Sequence, residues 1–161
     1  MSDIANLGVL GQVLDKNSVT LTQILDETKK NPNFGKAGDI ITFTGVVRET
    51  SGDPKGTPIK KVEKIEIQVH KEMADQQLTT ICHELISKYD LVEARIVHFY
   101  GTFSIGDVLV HGVVASRHRT EGFNALMEMI DAYKHRAYIW KAELYSDGTE
   151  KWISTSPPEE A

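Results

Sequence analysis

The sequence has little that could be cross-linked covalently or inserted into a membrane. Cys82 is the only cysteine among 161 residues, which excludes an intramolecular disulfide, a cysteine-clustered zinc site and a C-x-x-C redox pair. A lone thiol is typical of a reducing compartment, so we expect a cytoplasmic protein. The first seventeen residues contain one short apolar run, 8–14, and no basic segment. They therefore predict neither a signal peptide nor a membrane span.

Positive charge is also in deficit. Lys and Arg together number 18 against 23 Asp and Glu, which gives a net charge of -5. This balance argues against a general nucleic-acid-binding protein, although it leaves room for a basic pocket inside an acidic surface. Five histidines have no spacing typical of metal ligands, so we expect no metal site; they are His70, His83, His98, His111 and His135.

The length and the 40% hydrophobic content fit one domain with a substantial core. We predict an N-terminal segment without an assigned role at 1–17, a single domain at 18–155 and a flexible tail at 156–161. Residues 49–61 combine Gly, Pro and charge and predict a mobile loop. Periodicity predicts helices at 21–30, 73–89 and 121–137 and strands at 40–48, 62–70, 94–100, 108–116, 138–144 and 151–153. This order indicates an α+β fold.

The third predicted helix carries the strongest functional signal. Its apolar positions Phe123, Leu126, Met127 and Ile130 lead to Lys134. Phe123, Met127, Ile130 and Lys134 step by four, three and four residues, which places these four on one helix face. Because that face is apolar, we expect it to be buried and the lysine to point toward the interior.

The start of the same helix favours an anion. We predict Thr120 as its N-cap. His118 and Arg119 then add positive charge where the helix dipole is already positive and the first amides point outward.

Four sequence blocks, taken together, resemble the large, catalytic subunit of molybdopterin synthase over residues 21–153. The blocks are FTGVVR at 43–48, HFYG at 98–101 leading to the pair at 106–107, HRTEGF at 118–123, and IDAYK at 130–134 followed by IWK at 139–141. Each block alone is weak, and the order and spacing of the four make the resemblance specific.

The resemblance implies a fold of the α/β-hammerhead type, with antiparallel sheets and two main helices. It also implies a homodimer that forms a heterotetramer with two small ubiquitin-like sulfur carriers. In that family the thiocarboxylate on the carrier's Gly-Gly tail supplies sulfur to cyclic pyranopterin monophosphate. Two transfers produce the dithiolene of molybdopterin, and the step requires no metal or redox cofactor.

Five residues match functional positions of the family. Lys134 and Lys141 correspond to its catalytic lysines, and Arg48, His118 and Arg119 correspond to residues that hold the anionic substrate. Because the family builds each pocket across the dimer, His118 and Arg119 are expected to act with Lys134 of the neighbouring subunit.

Each candidate also has an ordinary structural interpretation. Lys134 is then a helix-end cation that lies over the apolar face, and Lys141 is a solvated strand residue. Arg48 is then a strand-end charge. His118 and Arg119 then cap the helix or pair with Glu121.

The sequence departs from the family pattern at three positions. Phe99, Tyr138 and Ala142 stand where members commonly carry an Arg, a Pro and a basic residue. The alternative function is therefore a catalytically weak, dimeric binding or scaffold homologue that keeps the anion pocket.

Overall fold

The computed structural model describes residues 6–51 and 59–154. These ranges contain three α-helices, seven strands and a short 3₁₀ turn at Phe34–Lys36, so the predicted α+β class is confirmed. In chain order the elements are β1 (Gly11–Asp15), α1 (Leu21–Thr28), β2 (Asp39–Val46), β3 (Val62–Val69), α2 (Lys71–Tyr89), β4 (Glu93–Ser104), β5 (Val108–Ser116), α3 (Arg119–Arg136), β6 (Ile139–Tyr145) and β7 (Glu150–Ser154).

The long strand β4 joins the two halves of the sheet. The strand order is β2-β5-β4-β3-β6-β7, and β1 pairs with β4 outside this path. The first half of β4 pairs antiparallel with β5 and parallel with β1, and its last residues pair antiparallel with β3. Gly101 lies between these halves with φ +122, a conformation that favours glycine.

Two long helices cover the sheet side by side. α2 packs on β1 and β4, whereas α3 packs on β5 and β2. The inward face of α2 consists of Leu78, Ile81, Cys82 and Leu85, each no more than 3% exposed. Helical spacing predicts this face, and the interpretation of Cys82 as a core residue is confirmed.

The N-terminal segment, which has no role assigned from sequence, contributes a strand to the sheet. Side chains of α2 satisfy backbone groups along the outer edge of β1. The Asp75 carboxylate accepts a hydrogen bond from Val13 N at 2.7 Å, and Lys71 Nζ donates to Val13 O at 2.9 Å. Thr79 Oγ1 donates to Gly11 O at 2.9 Å. A single line of α2 side chains therefore holds β1 in place.

A helix covers only one face of β2. α3 packs on the face that carries Ile41 and Phe43, whereas Thr42, Thr44 and Val46 on the other face are exposed. β2 is the last strand of the sheet at this side. A half-covered strand alternates in this way because successive side chains point to opposite faces.

Two predicted segments lie outside the described residues. The predicted mobile loop at 49–61 falls mainly on residues 52–58, and the predicted tail falls on 156–161. Within the described ranges, no helix combines the length and the hydropathy that a bilayer crossing requires.

We expect Gly122→Ala to destabilise the protein, because Gly122 lies where α3 begins to cross β2. A Cβ there would meet Ser116 Oγ and would lie 2.8 Å from Ile41 Cδ1 and 3.1 Å from Asp39 Oδ1. The overlap outweighs the helix-propensity gain, so the free energy of unfolding should fall by about 1–2 kcal/mol. Chemical denaturation measures this loss. Gly35→Ala is the matched control, because a Cβ there meets nothing within 4 Å; equal stabilities of the two variants would contradict the packing.

Candidate active site

The helix α3 begins earlier than predicted, and its N-cap is His118, not Thr120. No side-chain hydrogen bond caps this end. Instead, Ser116 Oγ donates to the His118 carbonyl oxygen at 2.9 Å, which fixes the chain just before the helix. His118 and Arg119 are exposed at this end. The predicted position of both residues at a helix start is therefore confirmed, and the predicted cap is wrong.

The buried line of α3 shares only Leu126 with the predicted apolar positions. The residues that face the sheet are all buried; they are Gly122, Leu126, Met129 and Tyr133. Gly112 on β5 makes room for this line, because a Cβ there would lie 3.1 Å from Met129 Sδ.

The predicted apolar face is the adjacent line of α3, and it faces outward. We call Phe123, Met127, Ile130 and Lys134 the outer line of α3. Phe123 is 57% and Met127 62% exposed, Ile130 is partly buried, and Lys134 is exposed. The expectation that Lys134 points toward the interior is therefore wrong. Neighbouring lines on a helix share the same three- and four-residue steps, so spacing alone does not distinguish them.

Lys134 and Lys141 lie at the same end of the molecule. Tyr133, the residue before Lys134, makes an edge-to-face contact with His98 on β4 at 5.7 Å between ring centroids. Burial lowers the pKa of His98 to about 4, and the positive charge of Lys141 adds to this lowering. The buried His98 ring therefore contacts the end of α3 and is close enough to Lys141 on β6 for that charge to act on it.

Arg48 follows β2 at this end as well. Val110 on β5 pairs with His98 on one side and with Gly45 on the other, so the three residues form one row across the sheet. Arg48 comes three residues after Gly45, beyond the end of β2. We call the region that contains Arg48, Lys134 and Lys141 the lysine end.

Glu143 is a neighbour of the candidate residue Lys141 that was not predicted from the sequence. Its carboxylate lies 3.5 Å from Lys141 Nζ and accepts a hydrogen bond from the Tyr145 hydroxyl at 2.7 Å. The Glu143 side chain is 9% exposed and that of Lys141 32%. Residues i and i+2 of a strand share a face, which is the signal that identifies this neighbour. Glu143 holds the Lys141 side chain at the strand surface.

The other two candidates are far from the lysine end of the same chain. Arg119 precedes Lys134 by fifteen residues of continuous helix, which corresponds to about 22 Å at 1.5 Å per residue. We call the region of His118 and Arg119 the arginine end. One chain alone therefore brings three of the five candidates toward one end and leaves the remaining two at the other.

Four of the five candidate side chains make no hydrogen bond or ion pair with any described residue; they are Arg48, His118, Arg119 and Lys134. Other cations on the helices do form ion pairs: Arg136 pairs with Glu84, and Lys88 pairs with Glu128. The candidates are thus available to an anion. In the described ranges, no group of three or more His, Cys, Asp or Glu side chains is arranged to hold a metal ion.

The chain is similar to proteins of one family. The family model described as MoaE protein matches residues 14–136. The molybdopterin synthase catalytic subunit of Bacillus subtilis is 33% identical over 141 residues, which cover 87% of this chain and 82% of that protein. The residues that the family model matches include His118, Arg119 and Lys134.

Solved structures show the same fold. The crystal structure of molybdopterin synthase from Staphylococcus aureus superposes with a TM-score of 0.74 at 29% identity, over 89% of this chain and 96% of that chain. A complex of subunits 1 and 2 of the molybdopterin-converting factor from Helicobacter pylori has a TM-score of 0.65 at 15% identity, over 92% of this chain and 93% of that chain. At that identity the second likeness concerns the fold alone.

We expect stability to fall as pH decreases from about 6.5 to about 4, because His98 is buried in its neutral form. The pKa of His98 is about 4 in the folded chain and about 6.5 in an unfolded chain. Between these values the unfolded chain binds the additional proton, so acidification favours unfolding by about 3 kcal/mol in total. Denaturation across this range measures the slope. His98→Gln, which does not titrate, should show a shallower slope; equal slopes would refute the neutral buried ring.

Proposed function

The chain belongs to the MoaE protein family and is a molybdopterin synthase catalytic subunit, a sulfurtransferase, and we propose that the lysine end is where it transfers sulfur. The sulfur donor in this proposal is the C-terminal thiocarboxylate of a small ubiquitin-like carrier that ends in Gly-Gly. The acceptor is cyclic pyranopterin monophosphate.

The convergence of Arg48, Lys134 and Lys141 at one end of the fold carries this proposal. Donor and acceptor are both anions, and holding them together in a partly desolvated pocket requires fixed positive charge. The guanidinium of Arg48 suits a phosphate, since it donates two parallel hydrogen bonds. A lysine ammonium is a movable point charge that also donates a proton. Neither Arg48 nor Lys134 is neutralised by a described residue.

The bond changes of the reaction define what the lysines must do. In each transfer, the thiocarboxylate sulfur attacks a pterin carbon and a pterin oxygen leaves. Water then cleaves the new thioester, which leaves sulfur on the pterin and a carboxylate on the carrier. Lys134 and Lys141 stabilise the negative charge on the leaving oxygen and supply its proton. Two such transfers produce the dithiolene.

A second copy of the chain completes the site in this proposal. The residues Arg119 and Lys134 are equidistant from the point between Leu126 and Met127, and so are Phe123 and Ile130. A two-fold axis at that point would therefore place α3 antiparallel to α3 of the partner subunit. The arginine end of one chain would then meet the lysine end of the other.

The exposed apolar surface supports this arrangement. Phe123 and Met127, 57% and 62% exposed, lie on the outer line of α3 between Arg119 and Lys134. Large apolar side chains grouped on a helix surface are typical of an interface. Their burial between two helices would stabilise the dimer and set the distance between the cations of the two chains.

Each dimer would bind two carriers and thus form a heterotetramer. The Helicobacter pylori structure with the same fold is a complex of two different subunits. This supports a separate carrier subunit as the partner. We place the assembly in the cytoplasm, where the buried Cys82 thiol would stay reduced.

We expect Lys134→Ala to lower the turnover number by about 100-fold or more, because it removes a charge that acts in the transition state. Sulfur transfer from thiocarboxylated carrier to cyclic pyranopterin monophosphate measures turnover, and light scattering checks that the dimer and the bound carrier persist. Lys29→Ala is the matched control, because Lys29 is also an exposed lysine at a helix end.

The two interpretations of Lys134 predict opposite results in this assay. A helix-end lysine contributes only about 0.3–1 kcal/mol of stability, so its removal would leave transfer intact. Full activity of the Lys134→Ala variant would therefore defeat the catalytic assignment. Absence of transfer by the unmodified protein with both substrates would favour the scaffold homologue.

A further inference from the structure

The end of β1 is tied to the turn before β5 by an ion pair. Lys16 Nζ lies 2.6 Å from Asp107 Oδ2, and each side chain is 31% exposed. Lys16 Nζ also donates to Thr102 O at 3.2 Å and lies 5.4 Å from the centroid of the Phe103 ring. This ion pair therefore has several geometric constraints, unlike a pair that involves only two flexible side chains.

Asp107 connects this ion pair to the end of β2. Its carboxylate accepts a hydrogen bond from Ser104 N at 2.7 Å. Hydrogen bonds from Lys16 and Ser104 lower the pKa of Asp107, so its carboxylate is ionised at neutral pH. Its backbone oxygen accepts from Val47 N at 2.9 Å, and Gly106 N donates to Val47 O, also at 2.9 Å. Val47 is thus held by two backbone hydrogen bonds to the 106–107 turn.

Arg48 is the residue between two such backbone anchors. The turn holds Val47 before it, and Val62 N donates to Glu49 O at 2.8 Å after it. Val47 is 2% exposed, whereas the Arg48 side chain is exposed and has no hydrogen bond to a described residue. No described side chain therefore aims the guanidinium, and its direction depends on these backbone anchors.

We propose that Lys16 and Asp107 are positioning residues for Arg48. They act through the 106–107 turn and Val47, and they give the N-terminal segment a part in binding the pterin phosphate. This inference rests on the proposed function, because it assumes that Arg48 holds the substrate.

The physical basis is the sensitivity of a forked phosphate contact to small displacements. Both hydrogen bonds of a guanidinium depend on its orientation relative to the phosphate. Without the ion pair the turn loses its tie to β1, and Val47 moves with it. A displacement of about 1 Å at the guanidinium is sufficient to lower kcat/KM by about 10-fold or more.

The test combines Lys16→Met with Arg48→Ala in the full-length protein. Lys16→Met keeps the length of the side chain and removes its charge. We expect it to lower kcat/KM for the pterin substrate about 10-fold, mainly through a higher KM. In the Arg48→Ala background the same change should lower it less than about 2-fold, because Lys16 acts through Arg48. Lys16→Arg, which still reaches Asp107, should restore most of the activity.

Two further variants separate positioning from general stability. Lys88→Met is the matched control, because Lys88 also forms an ion pair, with Glu128 at 2.9 Å, and also lies 5.4 Å from an aromatic ring centroid. It should leave kcat/KM unchanged. Asp107→Asn removes the ion pair from the other side and should match Lys16→Met.

Three results would overturn the inference. One is unchanged kcat/KM in Lys16→Met, and another is an equal loss in the wild-type and Arg48→Ala backgrounds. The third is an unchanged kcat/KM in Arg48→Ala alone, which would also remove the proposed substrate role of Arg48. The first two results leave that role intact, so the two failures are distinguishable.

Discussion

A rigid helix sets the distance between the two groups of cations. α3 runs unbroken through Arg119–Arg136, so the Cα atoms of Arg119 and Lys134 stay about 22 Å apart. The same helix buries one line of residues on the sheet and leaves an apolar line exposed beside it. Both features have one explanation if a second copy packs against α3. In the proposed dimer, an antiparallel partner would cover the apolar line and bring opposite ends of the two helices together, so the length of α3 would set the geometry of the shared site.

The lysine end depends on the sheet in a comparable way. β4 spans both halves, and its residue His98 contacts α3 through Tyr133 and senses the charge of Lys141. The row of paired residues across β4, β5 and β2 then brings the chain to Arg48 at the same edge. Arg48, Lys134 and Lys141 are far apart in sequence, and the strand register together with the packing of α3 on the sheet places them toward the same end of the fold. Glu143 moderates this concentration of charge by pairing with Lys141.

The sequence predicted the helices and strands better than it predicted which of their faces are buried. The helix α2 follows from helical spacing, and the strands β4 and β5 follow from their β-rich runs and the turn residues between them. The exposure of the outer line of α3 does not follow from the sequence, because Phe123 and Met127 have the spacing of core residues. In the proposed dimer they contact a second copy of the chain, which helical spacing within one chain does not indicate. The roles of the five cations came from the resemblance, because Lys134 and Lys141 alone are typical of solvated residues. The Lys16–Asp107 pair joins residues 91 positions apart and has no local signal.

The most direct measurement is the activity of a mixed dimer of two damaged subunits, Arg119→Ala and Lys134→Ala. Co-expression with two different affinity tags allows purification of the heterodimer alone. The two parent homodimers are the controls. If the site is shared between subunits, one of its two sites contains neither substitution, and the heterodimer should regain about half of the wild-type sulfur transfer. If each site lies within one chain, both sites of the heterodimer are damaged. Activity no higher than that of the parent homodimers would therefore contradict the shared site.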